Sequence, residues 1–497
     1  VARKLVLFDR YDGGEFGSLG AWKAPANSFT ASNMLVNRLG ELMVRPGLKN
    51  ISPSGLSTGV VHGFGGVGVP TADLWFVQGT AVHTFSSDAT NLRTAAVALA
   101  EIPSEPINAK VDTNTALLAS TSDKIYRLTP AATPLPTLAA LTDSPGANNV
   151  AVYGDRIVAG KIDGSFGYRL RFSDAANPNS WPAANFIDIG DGWHISGLFS
   201  QRQHLLIVKQ AGMYVLTGVP GVNPVLRKVS NRGGGESPFM SFMHPDNTLW
   251  YSDGGSHPQS FNGSVTRDYS HLSLGGSLSS GTTNPPVVGI TGFTNPALGV
   301  MFFRDSGNTA MLNQNGVWTS HTFGVNTTGY TAEHGQYVYL CDGGAVGVAP
   351  KFYAFNPSSD TPGIEGGDRM KAGDDSSTAL TGTVTFPEWW ATDGDEVMVR
   401  SVIVDFRTWA TGSATTNHFD LAVSALRRYQ AGSAQASTTV SFDEAAASSS
   451  ATGTLQRRIF GFGEQGIGNG FQLAFTNCRG MAIQRIEVIL STQGVRA

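Results

Sequence analysis

One kind of segment recurs along most of this chain: an apolar strand, a turn, a second strand, a turn, and a third strand that ends on an aromatic residue. Leu74–Phe85 (LWFVQGTAVHTF), Thr115–Leu128 (TALLASTSDKIYRL) and His204–Leu216 (HLLIVKQAGMYVL) show it, and Asn247–Phe261, Leu298–Asn313 and Gln336–Phe355 continue it. Short β-prone runs bounded by Gly, Asn, Asp and Pro read as antiparallel hairpins, here as the inner pair of strands of a propeller blade. Opening strands begin near Val61, Val111, Val152, Ile195, Met240, Val288 and Tyr330, at successive separations of 50, 41, 43, 45, 48 and 42 residues. A period of about 40–50 residues is that of four-stranded propeller blades, each too small to bury its own faces and obliged to stack on its neighbours. The spacing predicts an all-β chain with a β-propeller of about seven blades, six to eight being admissible. A large β-sandwich with irregular hairpins is the alternative.

Composition narrows the partners. Of 497 residues, 14% are charged and 41% hydrophobic, which excludes a disordered chain. The 60 glycines follow no collagen period and read as turn residues. A formal net charge of −4 without a Lys/Arg run argues against a protein that grips DNA through its phosphates. No apolar stretch of about 18 residues predicts a membrane-spanning helix, and VARKLVLFDRYDGG does not read as a secretory signal. The two cysteines, Cys341 and Cys478, lie far apart and are expected as buried thiols rather than a disulfide.

Residues 1–58 are expected as an N-terminal arm and lead-in that closes or caps the propeller, with an amphipathic stretch over Ser32–Leu39, and 59–362 as the propeller itself. The polar, Gly-rich residues 363–379 read as a linker. A C-terminal β-sandwich is expected over 380–497, with strands at Leu380–Phe386, Val397–Thr408, His418–Ala425, Gln456–Gly461, Gly470–Phe475 and Ala482–Ser491. Within it Val402, Val404 and Phe406 alternate with Ile403, Asp405 and Arg407, the period of a half-buried strand. Ala445–Thr454 is a low-complexity loop.

Chemistry-bearing motifs are sparse. Asp374 with Asp375, and Asp393, Asp395 and Glu396 beyond Trp389-Trp390, are the candidate acid pairs, since a glycosidase needs two carboxyls held about 5–10 Å apart. Adjacent acids in Gly/Ser-rich sequence are more simply solvated loop charges. Asp9, Asp12 and Glu15 suggest a calcium loop but lack EF-hand spacing. Gly63–Val69 has no helix or Lys-Ser/Thr after it, and Gly154–Ile162 has the wrong spacing, so neither is a P-loop. His194, His204 and His257 show no paired-ligand spacing, and no nucleophile elbow occurs. Trp389 and Trp390 suit a sugar-stacking platform, or one strand packing into two layers. No catalytic, cofactor-binding or metal-binding residue is assigned, and no cofactor is expected.

One segment stands apart. Leu170–Gly218 contains Arg171-Phe172-Ser173-Asp174, Asn177-Pro178, Ser180-Trp181, Ile187-Asp188-Ile189-Gly190, Gly197-Leu198, Leu205–Lys209 and Met213–Gly218. It resembles a segment of the nozzle, or tubular tail, proteins of short-tailed bacteriophages. In Phe29–Leu48, the residues Asn33, Asn37, Arg38, Gly40, Leu42, Arg45, Pro46 and Gly47 are similar to that family's lead-in. Arg400–Phe406, Gly468–Phe475 (with Asn469 where a basic residue is usual) and Ile483–Leu490 have counterparts in its C-terminal domain. These motifs are structural, not catalytic. The Trp181 loop is expected at the boundary of the third and fourth blades, with Trp181 as a packing plug.

The resemblance implies a virion component made in the host cytoplasm. It would form a homohexameric ring below the portal and adaptor, contacting tail fibres or spikes, whose lumen retains and then passes double-stranded DNA without specific binding. Two readings from other classes remain open at this point: a tail-associated polysaccharide-degrading propeller enzyme, and a glycan- or receptor-binding propeller.

Overall fold

A computed structural model describes residues 2–493 except 12–13, 16–27, 38, 70–71, 104–106, 113–114, 121–122, 131–134, 163–165, 202, 236–237, 253–257, 269–286, 293–298, 305–308, 315, 324–330, 335–336, 344–346, 356–379, 392–395, 409–416, 428–429, 443–453 and 463–466. The expected linker over 363–379 therefore lies outside the described residues. Apart from a single 3-10 turn at Pro238–Met240, the described elements are strands.

Seven antiparallel four-stranded units follow one another. Blade 1 is Val61–Val69, Ala72–Gln78, Ala81–Phe85 and Arg93–Thr94; blade 2 is Asn108–Asp112, Thr115–Ala119, Ile125–Thr129 and Thr137–Ala140. Blade 3 comprises Ala147–Tyr153, Arg156–Ile162, Arg169–Phe172 and Phe186–Asp188, and blade 4 Ile195–Gln201, His204–Lys209, Gly212–Thr217 and Val225–Ser230. Blade 5 runs Ser241–Met243, Leu249–Tyr251, Gln259–Phe261 and Thr266–Asp268, and blade 6 Val287–Gly292, Val300–Arg304, Thr309–Gln314 and Val317–Thr322. Blade 7 has three strands of its own, Thr331–His334, Tyr337–Asp342 and Lys351–Phe355. Its fourth is Lys49–Asn50 from the other end of the chain, with Asn50 opposite Tyr353. First strands pack on one another in order, and Thr331–His334 reaches Val61–Val69, so the ring is closed with seven blades. The recurring hairpins seen in the sequence are the middle strands of each blade rather than its inner pair, because a further strand on the axis precedes each of them.

Each seam between blades holds its own apolar cluster. Successive side chains of a strand point to opposite faces, so a blade buried on both faces needs apolar residues at consecutive positions. Leu118 enters the cluster shared with blade 1 while Leu117 and Ala119 enter that shared with blade 3. This is why the middle strands read as unbroken apolar runs. Near the axis the blades converge, and glycine is a steric necessity: a Cβ on Gly160 would sit 2.8 Å from Ile195 of the next blade, and one on Gly197 2.8 Å from Ser241.

The C-terminal unit is a two-sheet sandwich, but the N-terminal residues are built into it. One sheet runs Thr454–Gly461, Glu396–Thr408, Met481–Gln493, Leu42–Val44, Met34–Val36, with Ala2–Phe8 also paired to Met481–Gln493 from Ala2–Thr492 to Phe8–Ile486. The other runs Ser28–Ser32, Gly382–Thr385, Gly470–Cys478, Asn417–Arg427, Gln430–Phe442. Phe29, Met34, Leu42 and Val44 share its core with Val402, Phe406, Phe419, Phe475 and Ile486. In place of one lead-in unit over 1–58, the chain begins in the sandwich, and Lys49–Asn50 is its contribution to the propeller sheets. The stretch Ser32–Leu39 holds the last residue of Ser28–Ser32, Asn33 at φ 58°, the short strand Met34–Val36 and the start of the turn capped by Asn37, rather than one amphipathic element. Gln430–Phe442, a strand absent from the sequence expectation, completes the second sheet. Ser32 also bridges to Ser320, so blade 6 and the sandwich share a continuous sheet.

Candidate functional site

The Trp181 loop connects the third and outermost strands of blade 3. Asp174 organises it: one carboxylate oxygen accepts a hydrogen bond from Ser180 Oγ at 2.6 Å and the other from Asn185 Nδ2 at 3.0 Å. These bonds hold the carboxyl below the usual range. Arg171 donates to the Trp181 carbonyl at 2.7 Å and Arg156 to that of Ser173 at 2.7 Å. Trp181 is buried, its indole N–H bonded to the Pro178 carbonyl at 2.8 Å, and its ring lies among Leu117, Ile125, Leu141, Ala147 and Ile157. It plugs the seam of blades 2 and 3, not that of blades 3 and 4 as expected. The loop folds back from the outer end of blade 3 onto the preceding blade, whereas the connection forward runs through Ile189–His194.

That forward connection holds a buried charge. Lys209, on the second strand of blade 4, is fully buried and donates to the Ile189 carbonyl at 2.9 Å and to Asp191. The other oxygen of Asp191 accepts from Tyr214 Oη at 2.8 Å, and the Trp193 N–H adds a 3.2 Å bond. Burial alone would raise the Asp191 carboxyl, but the bonds from Lys209, Tyr214 and Trp193 hold it below its usual value. Burial lowers the Lys209 ammonium, against the pull of Asp191, and pushes the Tyr214 hydroxyl up to about 12, helped by its bond to Asp191. Over this corner runs the Gly233–Gly235 segment, so close that a Cβ on Gly233 would lie 1.8 Å from the Lys209 carbonyl oxygen. Three separated pieces of Leu170–Gly218 thus meet: Ile187–Gly190, with Asp191 just beyond it, Leu205–Lys209 and Met213–Gly218.

The lead-in motif forms a second joint. Asn37 Oδ1 caps the N–H groups of Leu39 and Glu41 at 2.9 Å each, around a turn where Gly40 has φ 78°. Glu41, buried, receives Arg407 Nε of the sandwich at 2.6 Å and Asn37 Nδ2 at 3.1 Å. Asn33 Oδ1 accepts from Arg45 Nε at 3.2 Å and from the Thr322 N–H of blade 6 at 2.8 Å. Arg45 is fully buried; its guanidinium donates to Thr322 O at 2.7 Å and Pro46 O at 2.9 Å and lies 4.6 Å over the Phe323 ring. Leu42 is in the sandwich core. The motif therefore pins sandwich to propeller. Of its residues, Arg38 lies outside the described ones.

Of the acidic candidates, Asp374, Asp375, Asp393 and Asp395 lie outside the described residues, as do Asp12 and His257, while Glu396 opens an exposed strand end. Trp389 stacks on Phe471 at 5.3 Å with Lys4 Nζ 4.9 Å over its ring, and Trp390 Nε1 donates to Glu388 at 3.2 Å; both rings are half-buried and only Trp389 packs against the sandwich core. Gly468 and Gly470 are fixed by close approach: added Cβ atoms would lie 2.4 Å from the Leu426 carbonyl and 2.3 Å from that of Trp389. Gly63–Val69 is an axial strand, and Gly154–Ile162 a turn followed by a strand of blade 3. His194 and His204 are exposed. Cys341 and Cys478 are buried thiols, in blade 7 and the sandwich. Among the described residues no group of three His, Cys, Asp or Glu side chains could hold a metal ion.

Sequence reasoning missed Asp191, Glu41 and Arg407 as partners. An isolated charged residue beside apolar strand sequence, as at Lys209 after LLIV, was the available signal.

No family model and no curated protein matches the chain. Solved structures of similar shape include YCF48 bound to D1 peptide (11% identity, 63% of this chain and 99% of that one, TM-score 0.40). A chain of the mitotic checkpoint complex is similar at 10% identity over 62% of this chain and 94% of its own, with TM-score 0.41. The WD40 domain of Neurospora crassa Pan2 follows at 8% identity, covering 63% and 91%, with TM-score 0.37.

Proposed function

We propose that this protein is a structural subunit of the tail of a short-tailed bacteriophage. In this reading six copies form a nozzle-type ring below the portal and adaptor, retain the genome, and pass it during ejection. The observation that carries the reading is where the resembling residues lie. The separated pieces of Leu170–Gly218 converge on the Asp191–Lys209–Tyr214 corner, and the lead-in motif converges on the joint of sandwich and blade 6. Charged groups spent on backbone carbonyls and on one another make rigid joints, which a ring under internal pressure requires. A net charge of −4 without a basic run suits a wall that DNA slides past, because each neutralised phosphate steepens binding. The sugar-platform alternative is less favoured, since Trp389 is already engaged by Phe471 and Lys4.

Electron microscopy of the purified full chain tests the reading: ring-shaped particles with six-fold averages are expected. A protein that stays monomeric at micromolar concentration and degrades polysaccharide overturns it.

A further inference from the structure

The second sheet of the sandwich ends on Gln430–Phe442, which among the described residues pairs on one side only, with Asn417–Arg427. It is 13 residues long, QAGSAQASTTVSF, with neither a charged residue nor a proline. The other outer-edge strands among the described residues are guarded. Val225–Ser230 carries Arg227 and Lys228, Thr454–Gly461 carries Arg457 and Arg458, and Ala2–Phe8 carries Arg3 and Lys4. The remaining ones span four residues or fewer. Proteins blunt exposed edges with charge, proline or shortness because unpaired N–H and C=O groups recruit another chain. Two register shifts fall at the hairpin end of this strand, which leaves Ala436–Phe442 regular opposite Asn417–Val423.

Beside this edge lies that of the first sheet. Phe460 meets Phe419 at 5.7 Å, which sets Thr454–Gly461 over Asn417–Arg427, and on it Leu455 and Ile459 are 56% and 67% exposed. The propeller joins the other end of the sheet, at Ser28–Ser32.

We infer that this side of the sandwich docks a second copy of the chain, which adds an extended segment to Gln430–Phe442 and covers Leu455 and Ile459. The inference rests on the ring reading above. At about 3.3 Å per residue Gln430–Phe442 runs about 43 Å and the 8 residues of Thr454–Gly461 about 26 Å, and each sheet is about 10 Å thick. The side therefore offers roughly 700 Å² per partner, within the range of stable interfaces. An uncharged strand sets up no like-charge repulsion against the segment that a neighbouring copy adds to it, and in a ring that segment comes from another face of the neighbour.

The test compares the full chain with two variants by native mass spectrometry, circular dichroism and hydrogen exchange. One is Ser437→Lys/Thr439→Lys/Ser441→Lys, at register positions opposite Ala422, Asp420 and His418. The other is Leu455→Ser/Ile459→Ser, which leaves the edge strand untouched. The wild type is expected to assemble, with amides of 430–442 exchanging about tenfold or more slowly in the assembly than in diluted monomer. Both variants are expected to be folded and to assemble at least about tenfold more weakly. A wild-type ring matched by both variants, with 430–442 exchanging freely, overturns this interface and leaves the ring reading standing. A wild type that stays monomeric with a freely exchanging edge overturns both.

Discussion

Replacing Lys209 by methionine removes one charge from the corner between blades 3 and 4 while keeping the length of the side chain. The ammonium is fully buried and serves Asp191 and the Ile189 carbonyl. Breaking a buried ion pair by deleting one partner costs about 3–5 kcal/mol, because the remaining charge is left without compensation. Asp191 retains 20% of its side-chain exposure and keeps its bonds from Tyr214 and Trp193, so it can recruit water, and the lower end, about 3 kcal/mol, is expected. Lys209→Met with Asp191→Asn should recover part of this, giving a coupling energy above about 1 kcal/mol in a double-mutant cycle. Urea unfolding of the full chain followed by circular dichroism measures both. The pH dependence has a definite sign. The folded-state pKa of Asp191 is depressed, so its contribution is present above the unfolded value of about 4 and is lost as pH falls through the folded value. The gap between wild type and Lys209→Met should therefore narrow in acid. A Lys209→Met protein within about 1 kcal/mol of wild type at pH 7, or strict additivity in the cycle, refutes the reasoning.

Four further outcomes follow from the same contacts. Trp181→Ala should cost about 3–5 kcal/mol and Trp181→Phe distinctly less, since phenylalanine keeps most of the seam filled and loses mainly the bond to Pro178; denaturant midpoints check this. Gly233→Ala should cost more than about 2 kcal/mol, because its Cβ would collide with backbone, whereas Gly190→Ala, with nothing within 4 Å, should stay within about 0.5 kcal/mol; thermal melts separate the two. His321 is fully buried beside Arg45, and burial lowers its pKa well below the ordinary value. Its neutral form thus costs nothing above about pH 6.5, and stability should fall below that by up to about 1.4 kcal/mol per pH unit, a slope that His321→Gln reduces in pH-titrated unfolding. Burial raises both thiols, so Cys341 and Cys478 should ignore a disulfide-exchange reagent in the native protein and react together once it is unfolded.

The seven axial strands begin within a few residues of the positions read from the period, and they do so for a local reason. The middle strands of each blade must be apolar on both faces, so each unit repeats its own signature. Gln430–Phe442 has no such signature. Alanine, serine and threonine neither alternate in polarity nor mark a core, and the strand exists because Asn417–Arg427 offers it a partner. The lead-in was read for its lone amphipathic stretch, whose strand Met34–Val36 pairs locally with Leu42–Val44, but Ala2–Phe8 and Ser28–Ser32 pair with segments hundreds of positions away, as Phe8 does with Ile486 and Thr30 with Thr385.

The all-β class, the period and a Trp181 plug were legible in the residues alone, because turns and strand periodicity are encoded within a few neighbouring residues. Only the tertiary structure decided how those patterns close. It set seven blades by seating Lys49–Asn50 against Lys351–Phe355, and it moved the N-terminus into the sandwich. Trp181 went to the seam behind its own blade rather than the one ahead, and Lys209 was matched to Asp191. Those choices depend on which distant strand edges and buried charges remain unpaired once the local hairpins have formed, and that is a property of the whole assembled chain.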